Sequence, residues 1–165
     1  MKVLLLIRHA KSDWNDPLLK DFDRPLNDRG KRDAPEMARR LLDKKIKIDA
    51  FITSPAKRAK KTASIFAKEY KVDKDDIIFK EELYAASVAS FYEVISRVSD
   101  KFDTIAVFSH NPGITDFANA LTDARIDNIP TCGIFAVKIK AKHWKDFADA
   151  DKEFLFADYP KAGQE

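Results

Sequence analysis

The chain has 165 residues, 45% of them hydrophobic and 35% charged, with seven prolines and four glycines. That composition excludes collagenous and disordered classes and supports one well-buried core but not two comfortable domains. Thirty basic against twenty-seven acidic residues leave a formal charge of +3, a mixed surface that excludes the one-sided field of a dedicated nucleic-acid binder and leaves room for a local basic site.

The single cysteine, Cys132, reads as a small semi-buried residue and excludes an internal disulfide framework. The apolar run near the N-terminus is too short for a signal-peptide core or a membrane span, and Arg8 interrupts it. We therefore expect one soluble, cytoplasmic domain over residues 1–165, with neither a membrane nor a nucleic acid as partner.

Leu4-Leu5-Leu6-Ile7 reads as an inner strand of a parallel sheet, ending on Arg8 and His9. In open α/β sheets the carboxyl ends of the strands border the ligand crevice, so both side chains are predicted to stand there. Residues 13–28 read as a long polar loop. Its aspartates, Asp13, Asp16, Asp21 and Asp23, read as a solvated set and not a metal site, because no spaced histidine or cysteine accompanies them. Ala34, Met37, Ala38, Leu41 and Leu42 then follow the spacing of one helical face. Pro35 leaves two starts open: Asp33 caps a new helix, or a helix beginning near Asn27 is kinked at the proline.

Residues 48–53 form a second predicted strand, and Ser54-Pro55 supplies an N-cap followed by proline at the first helical position. The helix that follows is expected to bury Ala59, Ala63, Phe66 and Tyr70. Lys57, Arg58, Lys60 and Lys61 crowd its first turns, where cations oppose the macrodipole unless an anion sits nearby. Ile77-Ile78-Phe79 is a short strand candidate, followed by Glu81-Glu82-Leu83-Tyr84. Ser87 caps a helix with Val88, Phe91, Tyr92, Ile95 and Val98 on one face, and residues 104–109 form an apolar strand that also ends on a histidine, His110.

Asn111-Pro112 repeats the cap-and-proline signature ahead of Ile114, Phe117, Ala118 and Leu121. After a turn-rich stretch over 122–132, the alternating run from Phe135 to Lys140 and the run Phe154-Leu155-Phe156 read as edge strands with at least one antiparallel pairing. His143, beside Trp144, reads as structural or exposed. The fold class is α/β, a mostly parallel central sheet with helices on both faces and at least one antiparallel edge strand.

Two strands thus end on a histidine, and one strand-to-helix junction carries an arginine on the first helical turn. Such positions at one end of a sheet describe an anion pocket, to which helix N-termini add unpaired N–H groups suited to a phosphoryl group. The segments Arg8-His9-Ala10-Lys11-Ser12, Arg24-Pro25-Leu26, Ser54 to Arg58, and Ser109-His110-Asn111-Pro112-Gly113 resemble the motifs of the histidine phosphatase, or phosphoglycerate-mutase-like, superfamily. The order and spacing are most similar to its small SixA-type phosphohistidine phosphatases, with alanine replacing the glycine of the Arg-His-Gly box.

The resemblance implies that His9 is a transiently phosphorylated nucleophile and that Arg8, Arg58 and His110 bind phosphoryl oxygens. It points to Glu82 as proton donor, with Glu81 the near alternative, and to Asn15 as a further phosphate contact. Arg24, stiffened by Pro25, is a candidate for the pocket rim. It implies catalysis without metal or other cofactor, on a phosphohistidine-containing protein or a small phosphoester, with inorganic phosphate as product. An imidazole attacks through an unprotonated nitrogen, so its other nitrogen must donate to an acceptor, expected to be a backbone carbonyl. The alternatives are a non-catalytic phosphate-binding module and a small-molecule phosphomutase. The short passage 71–86 argues against the mutase, because the large branches carry an enclosing insertion there.

Overall fold

Leu4, Leu5, Leu6 and Ile7 are fully buried because the first strand lies inside the sheet and is covered on both faces. The computed structural model describes residues 1–161. In chain order it contains β1 (Lys2–Arg8), α1 (Asp28–Asp43), β2 (Ala50–Thr53), α2 (Lys57–Glu69), β3 (Ile78–Phe79), α3 (Val88–Ser96), β4 (Thr104–Ser109), α4 (Gly113–Leu121), β5 (Ile134–Ile139) and β6 (Lys152–Asp158). Short 3-10 turns lie at Asp21–Asp23, Lys74–Asp76, Glu81–Leu83 and Trp144–Asp146.

The six strands are ordered β3-β2-β4-β1-β5-β6. The pairs β2·β3, β2·β4 and β1·β4 are parallel, whereas β1·β5 and β5·β6 are antiparallel. Successive strand residues face opposite sides, which sorts β1 between two cores. Leu4 and Leu6 pack with Phe91 and Ile95 of α3 and Ile114 and Phe117 of α4. Leu5 and Ile7 pack with Met37 and Leu41 of α1 and Ala63 and Phe66 of α2. This is the expected mixed sheet with helices on both faces.

Several local expectations are corrected. β5 is not an edge strand: it is paired on both sides, with Phe135 and Val137 in one core and Ile134 and Ala136 in the other. Leu42 lies off the buried face of α1 and is 37% exposed. Cys132 is fully buried, which pushes its thiol pKa well up. β2 begins at Ala50, two residues later than expected.

Of the two starts left open for α1 the structure takes the one near Asn27, whereas α2 and α4 begin later than Ser54 and Asn111 predict. α1 begins after Asn27, whose side chain accepts the Gly30 N–H at 2.9 Å, and Pro35 lies within the helix. A Cβ on Gly30 would fall 2.3 Å from the Lys11 carbonyl oxygen, so glycine lets this first turn sit directly on the backbone that follows His9. α2 starts only at Lys57, with Ala56 at its cap position, and Tyr70 ends it. In α4 the cap position is Pro112, after a cis Asn111–Pro112 bond. A Cβ on Gly113 would meet the Ala86 carbonyl oxygen at 2.2 Å. No described helix is long and apolar enough to cross a membrane.

The parallel register aligns three strand ends. Arg8 lies opposite Ser109, and Thr53 opposite Phe108. The ladder extends one step further, with His9 N–H donating to Ser109 O at 3.1 Å and Ser54 N–H to Phe108 O at 3.0 Å. Residues 9, 54 and 110 therefore leave the sheet together.

Candidate active site

His9 is held by its backbone on two sides. Its N–H bonds to β4, and its carbonyl accepts the Cys132 N–H at 2.9 Å. Nδ1 lies 2.8 Å from the Ala10 carbonyl oxygen, which can only accept, so Nδ1 carries the proton. Nε2 is then the lone-pair nitrogen, and Arg58 Nε donates to it at 3.3 Å. Both bonds require the same tautomer. Burial is the main cause that lowers the His9 pKa to about 4; the Ala10 bond opposes it, and the charges of Arg58 and Arg8 add to it. The imidazole is therefore neutral at neutral pH.

Arg58 occupies the first turn of α2 but points away from its lysine neighbours, with only 6% of its surface exposed. Thr62 fixes that turn to the chain just after β1: its hydroxyl donates to Arg58 O at 2.8 Å and accepts the Ala10 N–H at 3.0 Å. Arg8 donates through Nη1 to Ile129 O at 3.0 Å, while its buried Nε has no partner among the described residues. Ile129 O also accepts from Asn111 Nδ2 at 3.1 Å, and Asn111 Oδ1 accepts from the Thr115 hydroxyl at 2.6 Å. The residue expected to cap α4 instead clips the loop on which Arg8 rests. Burial, followed by the charge of Arg58, lowers the Arg8 pKa.

The His110 ring centroid is 5.1 Å from that of His9. Its Nε2 lies 2.8 Å from Ser54 Oγ, and its buried Nδ1 has no partner among the described residues. Burial first, then His9 and Arg58, push its pKa down to about 3. Two guanidinium groups and two neutral imidazoles thus surround one spot, with donors aimed from three different elements.

The nearest carboxylate belongs to Asp21, which sequence reading had assigned to a solvated loop. Its backbone oxygen accepts from Arg58 Nη1 at 2.6 Å, and its Oδ2 accepts from Arg58 Nη2 at 3.0 Å and from the Tyr84 hydroxyl at 2.6 Å. Desolvation pushes the Asp21 pKa up, but the bonds from Tyr84 and Arg58 outweigh it and hold the carboxyl below its usual range. Tyr84 also packs edge-on against Phe22 and against His110. No spacing rule separates Asp21 from its three aspartate neighbours; its role depends on the 3-10 turn that aims it.

Three expected site residues are not drawn into this network. Asn15 is exposed, and its backbone N–H bonds to Asp13 in the loop. Arg24 is buried, and it donates to Asp16 O at 3.1 Å and stacks 4.0 Å from the Trp14 ring centre, which makes it a staple of the loop. Glu82 and Glu81 are exposed on a turn anchored by the Ser109 hydroxyl, which donates to Leu83 O at 2.6 Å. No bond ties either carboxylate to His9 or His110. Among the described residues no group of three or more His, Cys, Asp or Glu side chains converges on a metal position. His143 is exposed and pairs with Asp100 at 2.9 Å.

Residues 4–87 match the model of the histidine phosphatase superfamily, branch 1. The protein Rv1276c of Mycobacterium tuberculosis is 33% identical over 150 residues, spanning 85% of this chain and 90% of that one. The chain belongs to the histidine phosphatase superfamily.

The uncharacterized phosphatase PhoE of Bacillus subtilis is 40% identical over 90 residues, covering 51% of this chain and 44% of its own. Among solved structures, SixA from Agrobacterium tumefaciens superposes with a TM-score of 0.80 at 22% identity, over 96% of this chain and 98% of that one. A protein histidine phosphatase SixA complexed with tungstate gives 0.81 at 19% identity, over 96% and 97%. Both likenesses are of fold. In this superfamily member the arrangement offers a neutral nucleophilic nitrogen inside a ring of cationic and neutral donors, which suits attack on a phosphoryl group.

Proposed function

We propose that the protein is a phosphatase that takes a phosphoryl group onto Nε2 of His9 and then passes it to water. The observation that carries this reading is the fixed tautomer of His9, with Nδ1–H spent on Ala10 O and the Nε2 lone pair facing Arg58.

In the first step the Nε2 lone pair forms the N–P bond while the bond from phosphorus to the leaving group breaks. The leaving group departs with that electron pair and takes a proton, from Glu82 or from solvent. Arg8, Arg58 and His110 hold the phosphoryl oxygens; arginine forks match that geometry and lower the barrier as charge spreads over the oxygens. In the second step water attacks phosphorus, the N–P bond breaks, and inorganic phosphate leaves. The reading uses no metal and no other cofactor. Tungstate bound to a SixA and VO3 bound to a mycobacterial glucosyl-3-phosphoglycerate phosphatase of similar fold, TM-score 0.74, support an oxyanion site in this fold.

The substrate class we favour is a phosphohistidine-bearing protein. Between α2 and α3 the chain has only two short turns and the two-residue β3, so nothing there encloses a small substrate. A small phosphoester is the second reading, supported by the phosphoester phosphatase among the fold relatives. Turnover should be measured on a phosphohistidine peptide and on an aryl phosphate, each with and without vanadate. The reading expects both to be hydrolysed and vanadate to compete. Phosphate binding without turnover of either would instead indicate a non-catalytic module.

A further inference from the structure

Beside the catalytic cluster runs a groove of about 1100 Å³ that is far more cationic than the chain as a whole. Lys31 of α1, Lys57, Lys60 and Lys61 of α2, and Lys74 of the 74–76 turn line it, against two aspartates, Asp23 and Asp75. Among the described residues none of the five lysines is in a salt bridge. The chain carries thirty cations against twenty-seven anions, so this concentration is local and uncompensated. Phe22 and Phe79, 40% and 45% exposed, add apolar surface, and Lys60 Nζ lies 5.5 Å from the Phe79 ring centre.

Two pieces of chain link the groove to the site. Asp21 bonds Arg58, and the next residues, Phe22 and Asp23, line the groove. Ser54 and Arg58 touch His110 and His9, while the adjoining Pro55 and Lys57 line it.

We propose that the groove docks an acidic polypeptide segment that flanks the phosphorylated residue of the substrate, a proposal that rests on the phosphatase reading above. Ammonium groups on flexible stems, spread over three elements, suit several separate carboxylates; a compact second phosphate would call for a convergent arginine fork. The volume also lies at or above the upper end of small-molecule sites, about 300–1,000 Å³. Aromatic surface between the charges suits the apolar side chains of a peptide.

The test uses two synthetic phosphohistidine peptides, identical except that glutamates flank the phosphohistidine in one and glutamines in the other. Binding of their unphosphorylated, dye-labelled forms is followed by anisotropy, and turnover by phosphate release, both at low and at high salt. We expect the glutamate peptide to bind and turn over about ten-fold better at low salt, with the preference fading as salt screens the exposed charges. The combined Lys57→Gln, Lys60→Gln and Lys61→Gln variant should lose that preference while hydrolysing an aryl phosphate at the wild-type rate, which also reports that it is folded. Equal handling of the two peptides by the wild type, or a preference that survives in the variant, would overturn the proposal. So would a single-stranded oligonucleotide that displaces the glutamate peptide at lower concentration than the unlabelled peptide does. Preference in binding with no turnover of any substrate would sustain the groove and remove the phosphatase reading; turnover without preference would do the reverse.

Discussion

Arg58 Nε donates at 3.3 Å to Nε2 of His9, the nitrogen proposed to attack, so an incoming phosphoryl group would take the place of this bond and meet the guanidinium. A side chain on a surface-looking basic turn is thereby aimed inward, whereas Lys61 on the same helix faces the groove. Arg58→Ala should lower kcat/KM by about 10²–10³ or more, as loss of one preorganised oxyanion donor typically does, and Lys61→Ala should leave aryl phosphate turnover nearly unchanged. Steady-state kinetics on both variants check this; equal, small effects would count against the assignment of Arg58.

Asp21 shares Arg58 with any incoming anion, since its carboxylate holds Nη2. Asp21→Asn keeps an oxygen for Tyr84 and removes the negative charge. Inorganic phosphate and vanadate should then inhibit at several-fold lower concentration, and phosphate should raise the melting temperature of the variant more than that of the wild type. Weaker inhibition in the variant would mean that Asp21 holds the site in shape more than it competes for it.

The two buried imidazoles make stability depend on pH. Their pKa values fall from 6.5 to about 4 for His9 and about 3 for His110, so the unfolded chain binds more protons across that interval. The native state therefore has its full advantage from these groups above about pH 6.5 and loses it progressively as pH falls toward 4 and 3. Denaturant midpoints measured between pH 8 and 4 should decline, and His110→Gln should flatten the decline. The same depression predicts that kcat/KM shows no loss from His9 protonation near pH 6.5; an acid limb near that value that moves with substitution of His9 would contradict it.

Burial divides two leucines that the sequence pattern treats alike. Leu5 is fully buried between α1, α2 and the sheet, and Leu42 is 37% exposed. Leu5→Ala should cost about 2–5 kcal/mol in urea unfolding, and Leu42→Ala less than about 1 kcal/mol.

Much of this was legible because period and punctuation agreed. The apolar run before Arg8, the cap at Ser87, and two strands ending on histidines each obey a local rule, and the parallel register then brings residues 9, 54 and 110 to one place. What escaped was set by tertiary contact. β5 alternates as an edge strand does, yet β6 covers its outer side. Arg24, a rim candidate by sequence, bonds Asp16 and stacks on Trp14. Asp21 and Tyr84 had no sequence signal, because only the folded loop brings a residue of the 21–23 turn against one that lies sixty-three positions later.

The most direct test is to trap the intermediate. During turnover of an aryl phosphate, rapid quenching in base should recover phosphate bound to the protein, in a linkage stable to alkali and lost in acid, as expected of a phosphorylated imidazole. Mapping should place it on His9, and His9→Ala should show neither adduct nor turnover. Normal turnover by folded His9→Ala protein, or an adduct on His110 alone, would contradict the account.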